Sequence, residues 1–170
     1  TAGVDSSRRF LWIDDQWWRQ TYGVIAVGLP LVANDESIQR ARPFVSYQAG
    51  DQPNISVVPN GVARLERLVF PAANQLEAFG LADQLQGITT HRIAVEVRDA
   101  NGPVDRALVS VRSGQSGATD GLRGAGRTQT DGQLALSLPA GVYQVQVSAL
   151  GRADVTQMLT VQHEEHVSVR

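Results

Sequence analysis

From Ile93 onward the chain alternates apolar and polar residues in short runs divided by turn-forming residues, and this pattern leaves few folds open. Ile93, Val95 and Val97 alternate with Ala94, Glu96 and Arg98, which sets every second side chain on one face of an extended strand. Ala107, Val109 and Val111 alternate with Leu108, Ser110 and Arg112 in the same way, as do Leu134, Leu136 and Leu138 with Ala135 and Ser137. Tyr143, Val145 and Val147 are spaced by Gln144 and Gln146, and a last strand is expected from about Val155 through Leu159, Val161 and Val167. A strand with one apolar face must bury it against another layer, so about seven such strands predict a sandwich of two sheets.

The residues between the runs carry turn chemistry. Asp99-Ala100-Asn101-Gly102 and Asp131-Gly132 supply positions that tolerate positive φ, and Pro139-Ala140-Gly141 and Leu150-Gly151-Arg152 turn the chain again. The segment from Ser113 to Arg127 holds five glycines in fifteen residues and few apolar anchors; it reads as a long mobile loop.

The order Val97-Arg98-Asp99-Ala100-Asn101-Gly102-Pro103-Val104, Ala107-Leu108-Val109-Ser110-Val111, Thr130-Asp131-Gly132, Leu138-Pro139-Ala140-Gly141-Val142-Tyr143-Gln144-Val145 and Ser148-Ala149-Leu150-Gly151 resembles the carboxypeptidase regulatory-like domain. The resemblance covers roughly residues 91–170. It implies a seven-stranded transthyretin-like or Ig-like sandwich, and a non-catalytic module attached to surface proteins, secreted enzymes or receptors. The expected fold class is therefore all-β, with a mostly β N-terminal segment, at most one or two short helices, and a division into residues 1–88 and 89–170.

Composition narrows the chemistry. At 42% hydrophobic and 19% charged, the 170 residues suit a folded chain of one sizeable or two small domains. The net charge is -2, divided as 7 Arg against 9 acids in residues 1–88 and 8 against 8 in residues 89–170. With no basic run, nucleic-acid binding is not expected. The longest apolar stretch, Val24 to Ala33, is broken by Gly28 and Pro30 and is too short for a membrane-spanning helix. Because the chain opens on Thr1, either a leader has been removed or a longer protein has been cut. Every cationic residue is Arg and there is no Cys, so a disulfide framework, a thiolate metal site, a Schiff-base lysine and a phosphate-loop lysine are all excluded. A GC-rich genome accounts for the Arg bias.

The first half is less regular. Phe10-Leu11-Trp12-Ile13 precede Asp14-Asp15, Tyr22 to Val32 reads as one or two β-rich segments around Gly28 and Pro30, and Phe44-Val45-Ser46-Tyr47 and Ile55-Ser56-Val57-Val58 look like strands separated by a polar turn from Ala49 to Asn54. Val62 to Phe70 fits a short helix or a strand. Asn74 is a candidate cap for a helix from Gln75 to Gln86 carrying Leu76, Phe79 and Leu85, with Gly80 inside it. All three tryptophans fall at 12, 17 and 18, with Phe10 and Tyr22 close by and Arg19 among them. Such a cluster either fills a small core or forms a contact surface, because large flat rings bury much area and Arg adds planar hydrogen bonding. Phe10, Trp12, Trp17, Trp18, Arg19 and Tyr22 are the candidate partner-binding residues.

Other constellations are weaker. His163-Glu164-Glu165-His166 has its histidines three apart, unlike a helical zinc-protease motif, and reads as a charged strand edge. Asp99, Asn101 and Asp105 lack the glycine and glutamate spacing of a calcium loop. Asn54-Ile55-Ser56 matches a glycosylation acceptor, a triplet frequent by chance. No nucleophile with its base, carboxylate pair or metal set is assembled by spacing, so neither catalysis nor a cofactor is expected. The expected role is a structural or adaptor component of a secreted, cell-surface or virus-particle assembly, acting through protein contacts as a homo-oligomer or obligate complex. The alternative is a carbohydrate-binding accessory module.

Overall fold

A computed structural model describes residues 2–4, 10–15, 17–27, 31–33, 45–47, 57–64, 66–114 and 121–169. The chain divides into two compact units, Thr1–Pro71 and Ala72–Arg170. The patterning change in the sequence lies near Thr89; the division falls earlier because the helix it precedes packs on the second unit's strands.

In the first unit, β1 (Ala2–Val4), β2 (Phe10–Asp15), β3 (Gln20–Val27) and β6 (Glu66–Ala72) form a sheet in that order, and β4 (Leu31–Ala33) pairs antiparallel with β5 (Val45–Tyr47). Val62 to Phe70 thus resolves as strand at its C-terminal end, while Val62 to Arg64 are irregular and exposed. Val57 and Val58 lie outside any strand. Ile55, Ser56 and the Ala49 to Asn54 turn lie outside the described residues.

The second unit begins with α1 (Gln75–Leu85). Asn74 caps it as its residue type dictates: Glu77 N–H donates to Asn74 Oδ1 at 3.0 Å, and Glu77 reaches back to accept from Ala73 N–H at 2.7 Å. Leu76 and Phe79 are buried; Leu85 is exposed. The strands that follow are β7 (Thr90–Asp99), β8 (Gly102–Pro103), β9 (Leu108–Ser113), β10 (Leu122–Arg127), β11 (Gln133–Pro139), β12 (Gly141–Ser148), β13 (Val155–Val161) and β14 (Glu165–Val169). Two sheets result, one ordered β10-β9-β12-β13 and the other β11-β7-β14, with β8 folded back on β7. All pairings are antiparallel except β14 on β7, which is parallel. The fold class is therefore an all-β sandwich, with one short helix among the described residues.

The alternating residues form the core. Ile93, Val95, Val97, Val109, Val111, Leu134, Leu136, Leu138, Tyr143, Val145, Val147, Leu159 and Val161 make one cluster from both sheets, each contributing about 1.5–3 kcal/mol by leaving water. The buried Thr128 hydroxyl is matched twice: Thr128 Oγ1 accepts from Ala107 N–H at 2.9 Å and donates to Val104 C=O at 2.7 Å. Tyr143 O–H donates to Pro139 C=O four residues upstream at 2.9 Å, and burial pushes its phenol pKa up.

Two expectations are corrected. The last strand is two strands, because the bend at Gln162–Glu164 carries the chain from one sheet to the other. The glycine-rich segment is not loop throughout: Leu122–Arg127 is β10, whereas residues 115–120 lie outside the described residues. Gly124 in this strand serves packing. A Cβ on Gly124 would meet the Gln75 carbonyl carbon and Leu76 nitrogen at 2.9 Å, and its φ of 109° disfavours any other residue. Gly80 plays the same part on the helix, since a Cβ there would lie 3.0 Å from Ser137 Cβ on β11. α1 thereby seats on the edge strands of both sheets. The Arg123 guanidinium of β10 pairs with the buried Asp83 carboxylate of α1 and lies 5.4 Å from the centroid of the Phe79 ring.

Candidate docking surface

β2 and β3 form a hairpin in the register Phe10↔Ile25, Trp12↔Gly23, Asp14↔Thr21 and Asp15↔Gln20, with residues 17–19 in its turn. Trp12 and Phe10 point the same way by the two-residue period, and both are buried, their ring centroids 6.0 Å apart. Phe70 of β6 extends the stack, nearly parallel to Phe10 at 6.2 Å. Leu11 on the opposite face is buried too. Phe10 and Trp12 are thus core residues, and Trp17, Trp18, Arg19 and Tyr22 are left as the candidates for partner contact.

Trp17 and Trp18 are 85% and 68% exposed at the loop tip. The loop is held, not slack. Asp15 Oδ1 accepts from Trp17 N–H at 2.9 Å and from Trp18 N–H at 3.2 Å, the local side-chain bonding with which Asp fixes turns. Thr21 Oγ1 donates to Asp14 Oδ1 at 2.8 Å beneath it, and Tyr22 O–H donates to Gln20 Oε1 at 3.0 Å along its side. Arg19 closes the loop at a φ of 53°, where a residue with a Cβ is disfavoured. Trp rarely occupies such a turn, because leaving roughly 150–250 Å² of ring in water forgoes several kcal/mol of burial. The signal available in the sequence was the placement of two indoles one residue beyond Asp14-Asp15, a pair whose side chains favour turns.

The second unit offers other surfaces. A half-open depression of about 240 Å³ lies between α1 and β11, lined by Glu77, Leu81, Gln84, Arg92 and Ser137 among others. Asp99 does not face a cation site: its Oδ1 accepts from Asn101 N–H at 2.8 Å, and Oδ2 accepts from Arg152 Nη2 at 2.6 Å and Nε at 2.9 Å. Those Arg152 hydrogen bonds hold the Asp99 carboxyl below the usual carboxylate range. His163 lies in the bend, with Nδ1 at 3.8 Å from Glu165 Oε1, while Glu165 and His166 belong to β14. Among the described residues no three His, Cys, Asp or Glu side chains gather as a metal set, and no helix is long and apolar enough to cross a membrane. Asn54 lies outside the described residues.

No family model and no curated protein matches the chain. Six solved chains do. One is the Bacillus anthracis TIE protein, at 10% identity and a TM-score of 0.34, with 98% of this chain and 26% of that chain covered. This chain spans about a quarter of that protein's length, and a likeness of that size carries no functional argument.

Proposed function

We propose that the chain is a non-catalytic structural or adaptor component of a secreted, cell-surface or particle-surface assembly, engaging a protein partner through the Trp17-Trp18-Arg19 turn. One observation carries this: two adjacent indoles stand in water on a loop whose backbone is fixed by Asp15. Rigid aromatic anchors flanked by Arg are the residue types that dominate binding energy at protein interfaces, where each contributes about 2 kcal/mol or more. The resemblance of residues 91–170 to carboxypeptidase regulatory-like domains supports an appendage role for the sandwich. The test is the native mass of the chain with its co-purifying proteins, repeated for Trp17→Ala/Trp18→Ala. Loss of a complex with the fold intact supports the reading; a monomer that behaves identically with and without the indoles contradicts it.

Exposed flat indoles also suit stacking on a sugar ring, which favours a carbohydrate-binding module as the second reading. Glycan-array binding by a monomeric chain, abolished by either Trp substitution, would select it.

A further inference from the structure

The four strands that end the sandwich sheets are not protected alike. α1 lies over β10 and β11, and β14 carries Glu165 and His166 just after the charged bend at His163 and Glu164. β13 has no such guard. Val155-Thr156-Gln157-Met158-Leu159-Thr160-Val161 contains no charge and no proline, runs in unbroken register with β12, and pairs with no second strand among the described residues. An edge of this kind is a template for another strand.

Its free hydrogen-bonding groups can be assigned. The Val142 carbonyl accepts from Gly114 N–H at 2.7 Å on the β9 side of β12. Successive residues of a strand aim their N–H and C=O groups to opposite sides, so Tyr143, Val145 and Val147 face β13 and bond to Leu159, Gln157 and Val155, their register partners. Thr156, Met158 and Thr160 therefore turn their backbone groups to the open edge, and their side chains are exposed.

We infer that β13 pairs with β13 of a second copy of this chain, antiparallel about a two-fold axis at Met158, joining two four-stranded sheets into one of eight. Symmetry and charge select this occupant. With Met158 opposite Met158, Thr156 faces Thr160, so all outward donors meet acceptors without a register shift. The strand carries no charge, so a second copy paired with it sets no like charges opposite each other. Met158, exposed on the solvent face, covers its counterpart across the axis. This interface is separate from the tryptophan turn and does not depend on it.

The absence of native cysteine makes the test direct. Met158→Cys gives the full chain a single thiol, and facing residues in such a pair have Cα atoms about 5.5 Å apart, within disulfide reach. Under mild oxidation M158C is expected to form a covalent dimer at least about tenfold faster than Asn101→Cys, a thiol on an exposed turn, and Trp17→Ala/Trp18→Ala in the M158C background leaves that rate unchanged. Sedimentation equilibrium of Met158→Lys, with the circular dichroism of the parent, is expected to show self-association weakened by about tenfold or more. Equal oxidation rates for the two thiols overturn the inference. So does an M158C chain that stays monomeric, as it would if the edge accepted a strand from a different protein, or an M158K chain that associates as the parent does.

Discussion

The β2–β3 hairpin and the α1 seam meet the same physical problem in opposite ways. At the seam, two edge strands and an apolar opening are closed by a helix that fits because Gly80 and Gly124 let backbone approach backbone. At the hairpin tip, two of the largest apolar side chains are left in water on a fixed loop. A chain able to cover strand edges with a helix nevertheless displays Trp17 and Trp18, and on the proposed reading that uncovered surface is where a partner goes. The seam is internal architecture, and the tip is the surface proposed for contact.

Substitutions can break or sharpen that contrast. The largest effect is expected from Arg123→Ala, which takes the guanidinium away from the buried Asp83 carboxylate and lowers stability by about 3 kcal/mol in urea unfolding. Replacing both groups, with Asp83→Leu and Arg123→Met, should recover most of the loss, because no unpaired charge stays buried. Gly124→Val drives a Cβ into the first turn of α1 at an unfavourable φ and is expected to cost about 2–3 kcal/mol by the same measurement. Thr128→Val keeps the volume and strands the Ala107 N–H and Val104 C=O, for a loss of about 2 kcal/mol. If these changes left stability untouched, the seam would not be the closed structure described.

The smallest effect concerns Asp99. Its folded pKa lies below its unfolded value because Arg152 holds the ionised form, so its contribution is present above the unfolded pKa and is lost as pH falls through the folded one. Wild type should show a shallow loss of stability below about pH 4 that Asp99→Asn lacks. Identical acid limbs would show that the pair adds nothing.

Much of the seam was written in the alternating residues, and the tip was not. Ile93 to Val97 and Leu134 to Leu138 announce their buried faces because a two-residue period has one structural reading. Asn74 announces its helix by capping chemistry. The glycines of residues 113–127 misled for a physical reason: a strand pressed beneath a helix needs small residues, and composition cannot separate that need from a loop's. The aromatic cluster was ambiguous because burial is set by the loop position between β2 and β3. Phe10 and Trp12 fall on the strand and enter the core, while Trp17 and Trp18 fall one turn later and stay outside.

The most direct test of the contrast is iodide quenching of tryptophan emission, recorded on the chain alone at low concentration and again in its native assembly. All three tryptophans report on the hairpin, and Trp12 is shielded throughout. The account predicts two accessible indoles in the dilute chain that become protected on assembly, with protection lost in Trp17→Ala/Trp18→Ala. Indoles that remain fully quenchable in the assembled state would contradict it, since the tip would then touch nothing.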